Sequence, residues 1–242
     1  MIPLELIPLL LLIVAFLSSS VGHGGASSYL ALMALAGVVP SMIRPTALIL
    51  NLFVAGIAFA SFYKAGHFKW RLVWPFAITS VPVAYFGASI SINLLIYKII
   101  LGICLLLTVA RMLYKPKNAN ETIRELSIPI ATISGVLFGF ISGIIGIGGG
   151  VFLSPLLIAM RWAGVKEASA ASAGFILLNS LSGLIALHGK DFVPENNIAI
   201  WVATALLGGI LGSATGSYKL SETGFRYVLS GVLCFAAFKP II

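Results

Sequence analysis

Apolar runs punctuate the chain at intervals set by the thickness of a bilayer. Windows at 4–20, 47–62, 72–89, 94–113, 128–147, 169–187, 198–213 and 224–238 have the length a helix needs to cross about 30 Å of hydrocarbon. None alternates between apolar and polar positions, and each is too long for a barrel strand, so the windows predict helices rather than a closed barrel. Eight passes are the first count. The opening run does not fit it: from Pro3 to Pro40 the chain is almost uncharged, enough at about 1.5 Å per residue for a helix nearly twice as long as the bilayer core is thick. That run contains "GHGGASS", residues 22–28, where an unbroken helix would be expected.

The interruption recurs. "VGHGGASSYLALMALAG" laid over "IGIGGGVFLSPLLIAMRWAG" puts the glycines at 22, 24 and 25 on those at 146, 148 and 149. Asn51 in "LILNLFVAG" then matches Asn179 in "ILLNSLSG", Gly87 matches Gly212, and "YKIILGICLLL" resembles "FRYVLSGVLCF". Residues 1–115 and 127–242 share one plan, joined by a polar linker at 116–126. Glycine-interrupted hydrophobic segments at corresponding places in two halves point to a transporter built of repeats.

Basic residues choose between two ways of folding the interrupted segments. If each breaks at its glycines and returns as a hairpin, one side of the membrane holds Lys64, Lys69, Arg71, Arg111, Lys115, Lys117, Arg124, Arg161, Lys166, Lys219 and Arg226, and the other only Arg44, Lys98, Lys190 and Lys239. Single crossings divide the same residues six against nine. Cytoplasmic loops carry the Lys and Arg excess, which favours hairpins. Each half then makes a hairpin and three crossings, an odd number, so the second half is inverted. The expectation is an all-α integral membrane protein of two inverted repeats, each a broken helical hairpin plus three transmembrane helices, with both termini outside.

Composition agrees: 60% of the 242 residues are hydrophobic and 9% charged, with a mean hydropathy of +1.09, against about a quarter charged in soluble domains. The net charge of +8 forms no stripe with interleaved aromatics, which excludes nucleic acid as a partner. Met1 to Pro8 holds Glu5 and no basic residue, so the first helix is expected to be retained rather than cleaved as a signal. Cys104 and Cys234 lie in apolar windows, and neither a disulfide framework nor a metal site is implied.

Clustered glycines mark backbone that leaves the helix, tolerable at depth only inside protein or beside a water-filled cavity. The helices restarting near Ala26 and Val151 turn unpaired N–H groups and the positive ends of their dipoles toward the breaks, which suits an anion. All seven acidic residues, Glu5, Glu121, Glu125, Glu167, Asp191, Glu195 and Glu222, fall near segment ends, so no midplane carboxylate favours a cation. The membrane potential alone can expel an anion at about 2.3 kcal/mol per charge per 100 mV. Candidate substrate contacts are His23, Gly24, Gly25, Ser27, Asn51, Gly148, Gly149, Gly150 and Asn179, with Ser28, Ser154 and Ser172 behind them. His23 can donate to the anion or carry a proton. Gly139 with Gly143, and Gly208 with Gly212, have the spacing of close helix packing. Ser180 and Ser182 are expected to bond carbonyls of their own helix. No cofactor or catalytic residue is expected; the partners are a small oxyanion and the lipid bilayer, and a homodimer is left open.

In order along nearly the whole chain, the paired halves, the glycine-rich break followed by "FLSPLLIAM", the Asn of the next helix, "G-x-D-F" at 189–192 and the closing helix after "GFRYV" resemble the sulfite exporter TauE/SafE family. The resemblance implies export of small sulfur-containing anions such as sulfite or sulfonates across the plasma membrane. "GHGGASS" departs from the more glycine-rich second break and leaves the anion open. Two rival readings are a channel or assembly subunit, and an intramembrane hydrolase with Ser27 or Ser28 as nucleophile and His23 as base.

Overall fold

A computed structural model describes residues 3–90, 123–188 and 196–219. The windows at 94–113 and 224–238, most of the linker, the tetrapeptide 189–192 and both cysteines lie outside the described residues. Those described form helices without a strand: α1 (Ile7–Ser20), α2 (Ala26–Leu35), α3 (Pro40–Lys64), α4 (Trp74–Ser89), α5 (Ile128–Ile145), α6 (Gly150–Ala159), α7 (Val165–Leu187) and α8 (Ile198–Ala214), the last continuing into a π-helical turn, Thr215–Lys219. Proline within the first two residues starts α1, α3, α4 and α5, where its missing N–H costs nothing. Spans at Ser41–Lys64, Ile128–Ile145, Val165–Leu187 and Ile198–Tyr218 are long and apolar enough to cross a membrane. α3 and α7 start earlier than their apolar windows because Arg44, Lys166 and Glu167 are taken into their opening turns.

Small residues decide which helices lie side by side. Gly208, Gly212 and Gly216 stand against the carbonyls of Leu12, Phe16 and Ser20, so α8 and the turn after it advance alongside α1 in the same direction. Gly135, Gly139 and Gly143 stand against Phe76, Ser80 and Ala84 in the same way, pairing α5 with α4. Spacing of four keeps each set on one helix face and brings backbones into contact, as the glycine spacing predicts. Two of the contacts are counterparts: Gly87 lies on the carbonyl of Phe140, and Gly212 on that of Phe16.

Between these outer pairs run α3 and α7, antiparallel, with Leu48 beside Gly183, Gly56 beside Leu177 and Phe59 beside Gly174. α3 also packs on α8, and α7 on α4. Ser61 and Ser213 join the first pair at 2.9 Å, and Ser182 Oγ donates to the Val81 carbonyl at 2.7 Å across the second. α1, α3 and α8 therefore run one way, and α4, α5 and α7 the other. The outward faces are apolar, with Leu9, Ile13 and Leu17 exposed on α1, and Ile133, Val136, Leu137 and Phe140 on α5. Such faces belong in lipid, and the protein is a multi-pass membrane protein.

Candidate functional site

Both interruptions form at the glycines. α1 stops at Ser20 and α2 resumes at Ala26; α5 stops at Ile145 and α6 resumes at Gly150. Gly25 (φ 88°) and its repeat counterpart Gly149 (φ 76°) hold left-handed backbone. A β-carbon on Gly25 would press on Ser18 Oγ at 3.0 Å, and one on Gly149 on Ser142 Oγ at 3.2 Å. Each break thus folds back over a serine of the helix it has just left, and only glycine permits both the turn and the approach.

The two breaks meet at Asn51, midway along α3. Its Nδ2 donates to Ser180 Oγ at 2.9 Å and to the Ile147 carbonyl of the second break at 3.4 Å, while its Oδ1 lies against Gly24 of the first. Gly148 also abuts Asn51 Nδ2, Ser180 Oγ and Ile176. Gly150 packs on Ile176 and the Ser172 carbonyl, and Gly22 on Ser169. The predicted residues His23, Gly24, Gly25, Asn51, Gly148, Gly149 and Gly150 are therefore brought together around α3 and α7.

The other predicted residues fall differently. Asn179 is buried on α7 but faces α4: Ser80 Oγ donates to its Oδ1 at 2.5 Å, and its Nδ2 donates to the Phe175 carbonyl at 3.0 Å. Asn51 follows Gly24 by 27 residues whereas Asn179 follows Gly148 by 31, a difference of about one helical turn. Ile176 occupies the place opposite the second break. Ser154 and Ser172 share a hydrogen bond at 2.5 Å that ties α6 to α7. Ser27 and Ser28 are buried in the first turn of α2. Ser180 and Ser182, expected to bond their own helix, instead reach Asn51 and α4, because facing helices offer partners within reach.

Electrostatically the breaks are one-sided. The carbonyl end of α1 is closed by its own turn: Val21 and His23 N–H donate to the Ser18 carbonyl at 3.2 and 2.8 Å, and Gly22 N–H to the Ser19 carbonyl at 3.0 Å. At α5, Gly146 N–H donates to the Ser142 carbonyl at 2.7 Å, and Arg44 Nη2 donates to the Gly143 carbonyl and, at 3.0 Å, to that of Ala88 near the end of α4. Carbonyls at both negative ends are thus taken up from within the protein. At the start of α2, Ser28 and Tyr29 N–H return to the Gly25 carbonyl at 3.0 Å each, which leaves the amides of Gly24 to Ser27 as the surplus that a helix start presents.

Side chains add a second surplus. Ser18 Oγ, His23 Nε2, Tyr29 OH, Asn51 Oδ1 and Ser169 Oγ are buried without a hydrogen-bond partner in the protein, and none of the five residues is more than 5% exposed. All belong to the first break or touch its glycines. Such groups are costly to leave unpaired, so a cluster of them marks a place where something else binds. Ser18, Tyr29, Ser169, Ser180 and Arg44 were not among the site residues predicted from the sequence. Ser18 was accessible to it, since the match between halves extends back through "FLS" at 16–18 and "FIS" at 140–142.

Two broken helices, a buried polar junction and lipid-facing flanks suit a membrane transporter. Residues 7–239 match the family described as sulfite exporter TauE/SafE, and the chain belongs to that family. It is 35% identical over 237 residues, 94% of each chain, to the probable membrane transporter protein y4hK of Sinorhizobium fredii. It is 30% identical over 208 residues to a probable membrane transporter protein of Haemophilus influenzae, covering 80% of this chain and 78% of that one. It is also 26% identical over 257 residues to YjnA of Bacillus subtilis, a protein of the same description, covering 95% and 96%. No solved structure matches it. The protein is thus a transporter and not an enzyme.

Proposed function

We propose that the protein is a secondary transporter that exports a small sulfur-containing oxyanion, sulfite or an organosulfonate, across the plasma membrane, with both termini outside. In this reading the two halves are inverted repeats, and the anion sits between the breaks at mid-membrane, reached alternately from each side. The observation that carries it is the meeting of both breaks at Asn51, with carbonyls at the ends of α1 and α5 taken up from within the protein and the amides that open α2 left over. Fixed N–H groups in a water-poor site bind an anion without the cost of burying a lysine. The inverted arrangement is supported by corresponding helices, α1 and α5, α3 and α7, α4 and α8, running in opposite directions, and by the matched contacts of Gly87 and Gly212. Substrate class follows from the family's description. The test is uptake of radiolabelled sulfite and small sulfonates into liposomes holding the purified protein. Flux above that of empty liposomes is expected; none for any of them would reject the reading.

A further inference from the structure

We infer that the site takes its anion in a form carrying its own hydrogen donor, a singly charged protonated oxyanion such as hydrogen sulfite, or a compact analogue bearing N–H. His23 Nε2 or Asn51 Oδ1 receives that hydrogen, and the hydroxyls of Ser18, Tyr29 and Ser169 serve the remaining oxygens. This rests on the reading of the breaks as an anion site.

The argument is one of hydrogen-bond parity. The Val21 carbonyl can only accept, so the 3.1 Å contact from His23 places the ring hydrogen on Nδ1 and leaves Nε2 of the neutral ring a bare lone pair. The Ile147 carbonyl likewise can only accept, which identifies the Asn51 atom facing it as the amide nitrogen and the atom facing Gly24 as oxygen. Two of the five orphaned atoms are therefore acceptors, fixed as such by their neighbours. The other three are hydroxyls that can donate. A fully deprotonated oxyanion offers lone pairs alone and would set them against Nε2 and Oδ1. A ligand with a hydrogen beside its oxygens meets one of these acceptors as well as the hydroxyls, and one with two N–H hydrogens can meet both.

Most polar atoms of the charged groups on the surrounding elements are engaged elsewhere. On α3, Arg44 serves the carbonyls of Ala88 and Gly143. On α7, Lys166 donates to the Ser217 carbonyl at 3.3 Å, where His67 also bonds, and Glu167 pairs with Lys69. Discrimination is thereby left to hydrogen-bond direction, since no carboxylate or ammonium among these is spent on the first break.

Sulfamate and methanesulfonate test this at one fixed neutral pH. Both are compact, singly charged and tetrahedral at sulfur; the first carries N–H where the second carries methyl. Thermal stabilisation of the purified protein in detergent is measured against the concentration of each. Sulfamate is expected to act at about tenfold lower concentration, the effect of leaving buried acceptors unpaired by the competitor. The preference is expected to shrink to about twofold in His23→Phe and Asn51→Leu, wherever those variants fold. Equal action of the two ions on the wild-type protein, or preference for methanesulfonate, would overturn the inference and leave the anion site standing. Stabilisation by neither would overturn both.

Discussion

Asn51 Oδ1 stands where a β-carbon on Gly24 would have to go. Gly24 is not in left-handed backbone, so alanine meets no conformational obstacle there, only the asparagine. Gly24→Ala is therefore expected to destabilise by about 1–3 kcal/mol, as overpacking does. Combining it with Asn51→Ala should cost less than the two separate losses together, because each change relieves the other. Chemical denaturation of the four proteins in detergent measures the coupling; strict additivity would mean that the two residues do not touch.

The asparagines that match in sequence are expected to part in function. Asn51 touches both breaks, while Asn179 spends its amide on Ser80 and the Phe175 carbonyl. Asn51→Ala should lower sulfite flux at least about tenfold. Asn179→Ala should cost about 1–2 kcal/mol of stability through a lost buried hydrogen bond with flux changed by less than about threefold. Liposome uptake beside denaturation separates the outcomes.

Glycine made the breaks legible in the sequence, because its cost inside a helix leaves few other reasons for clusters at 22–25 and 146–150. Charge favoured hairpins through the distribution of Lys and Arg. Position along α7 was not legible: matching asparagines hid a difference of about one turn in the chain leading to them, and only packing shows that Ile176 and Ser180 face the second break. Tyr29, Ser169 and Arg44 escaped for a related reason. A hydroxyl or a cation in an apolar run carries no period, and its meaning comes from what a distant helix leaves unpaired beside it.

Close packing of the two outer helix pairs predicts matched sensitivity at Gly87 and Gly212. Alanine at either would drive its β-carbon into a carbonyl of the partner helix, that of Phe140 or Phe16, and each is expected to cost about 1–3 kcal/mol. Gly164, where a β-carbon would meet nothing within 4 Å, is the control. Gly164→Ala should cost no more than about 1 kcal/mol, the N-cap preference for glycine over alanine at the start of α7, as read from melting of the purified variants.

Arg44 holds two helix ends at once, donating to the carbonyls of Ala88 and Gly143, with its Cγ beside Gly146 at the entry to the second break. Hydrogen bonds to charged groups are worth about 1.5–3 kcal/mol, and Arg44→Met should lose at least that much stability. It should also weaken sulfite uptake, because the negative end of α5 then faces the break without a counter-charge. Arg44→Lys should recover part of the stability, a single ammonium lacking the planar fork that guanidinium presents.

The course of the first hairpin can be tested without knowing the substrate. α1, at 14 residues, covers only about 21 Å, and α2, at 10 residues, about 15 Å. α1 and α3 both run with α8, and α2 reaches the start of α3 through a short connection; α2 must therefore descend to the level from which α1 rose. Glu5 and Val39, both exposed, are then expected on one side of the membrane, and Trp70, exposed beyond the far end of α3, on the other. In a background with Cys104 and Cys234 replaced by serine, a membrane-impermeant maleimide applied to intact cells should label Glu5→Cys and Val39→Cys alike, and Trp70→Cys only after lysis. The excess of Lys and Arg beside Trp70 sets that order. Labelling of positions 5 and 39 from opposite sides would mean that the first segment crosses the bilayer, and the two breaks would then have no common depth at which to meet.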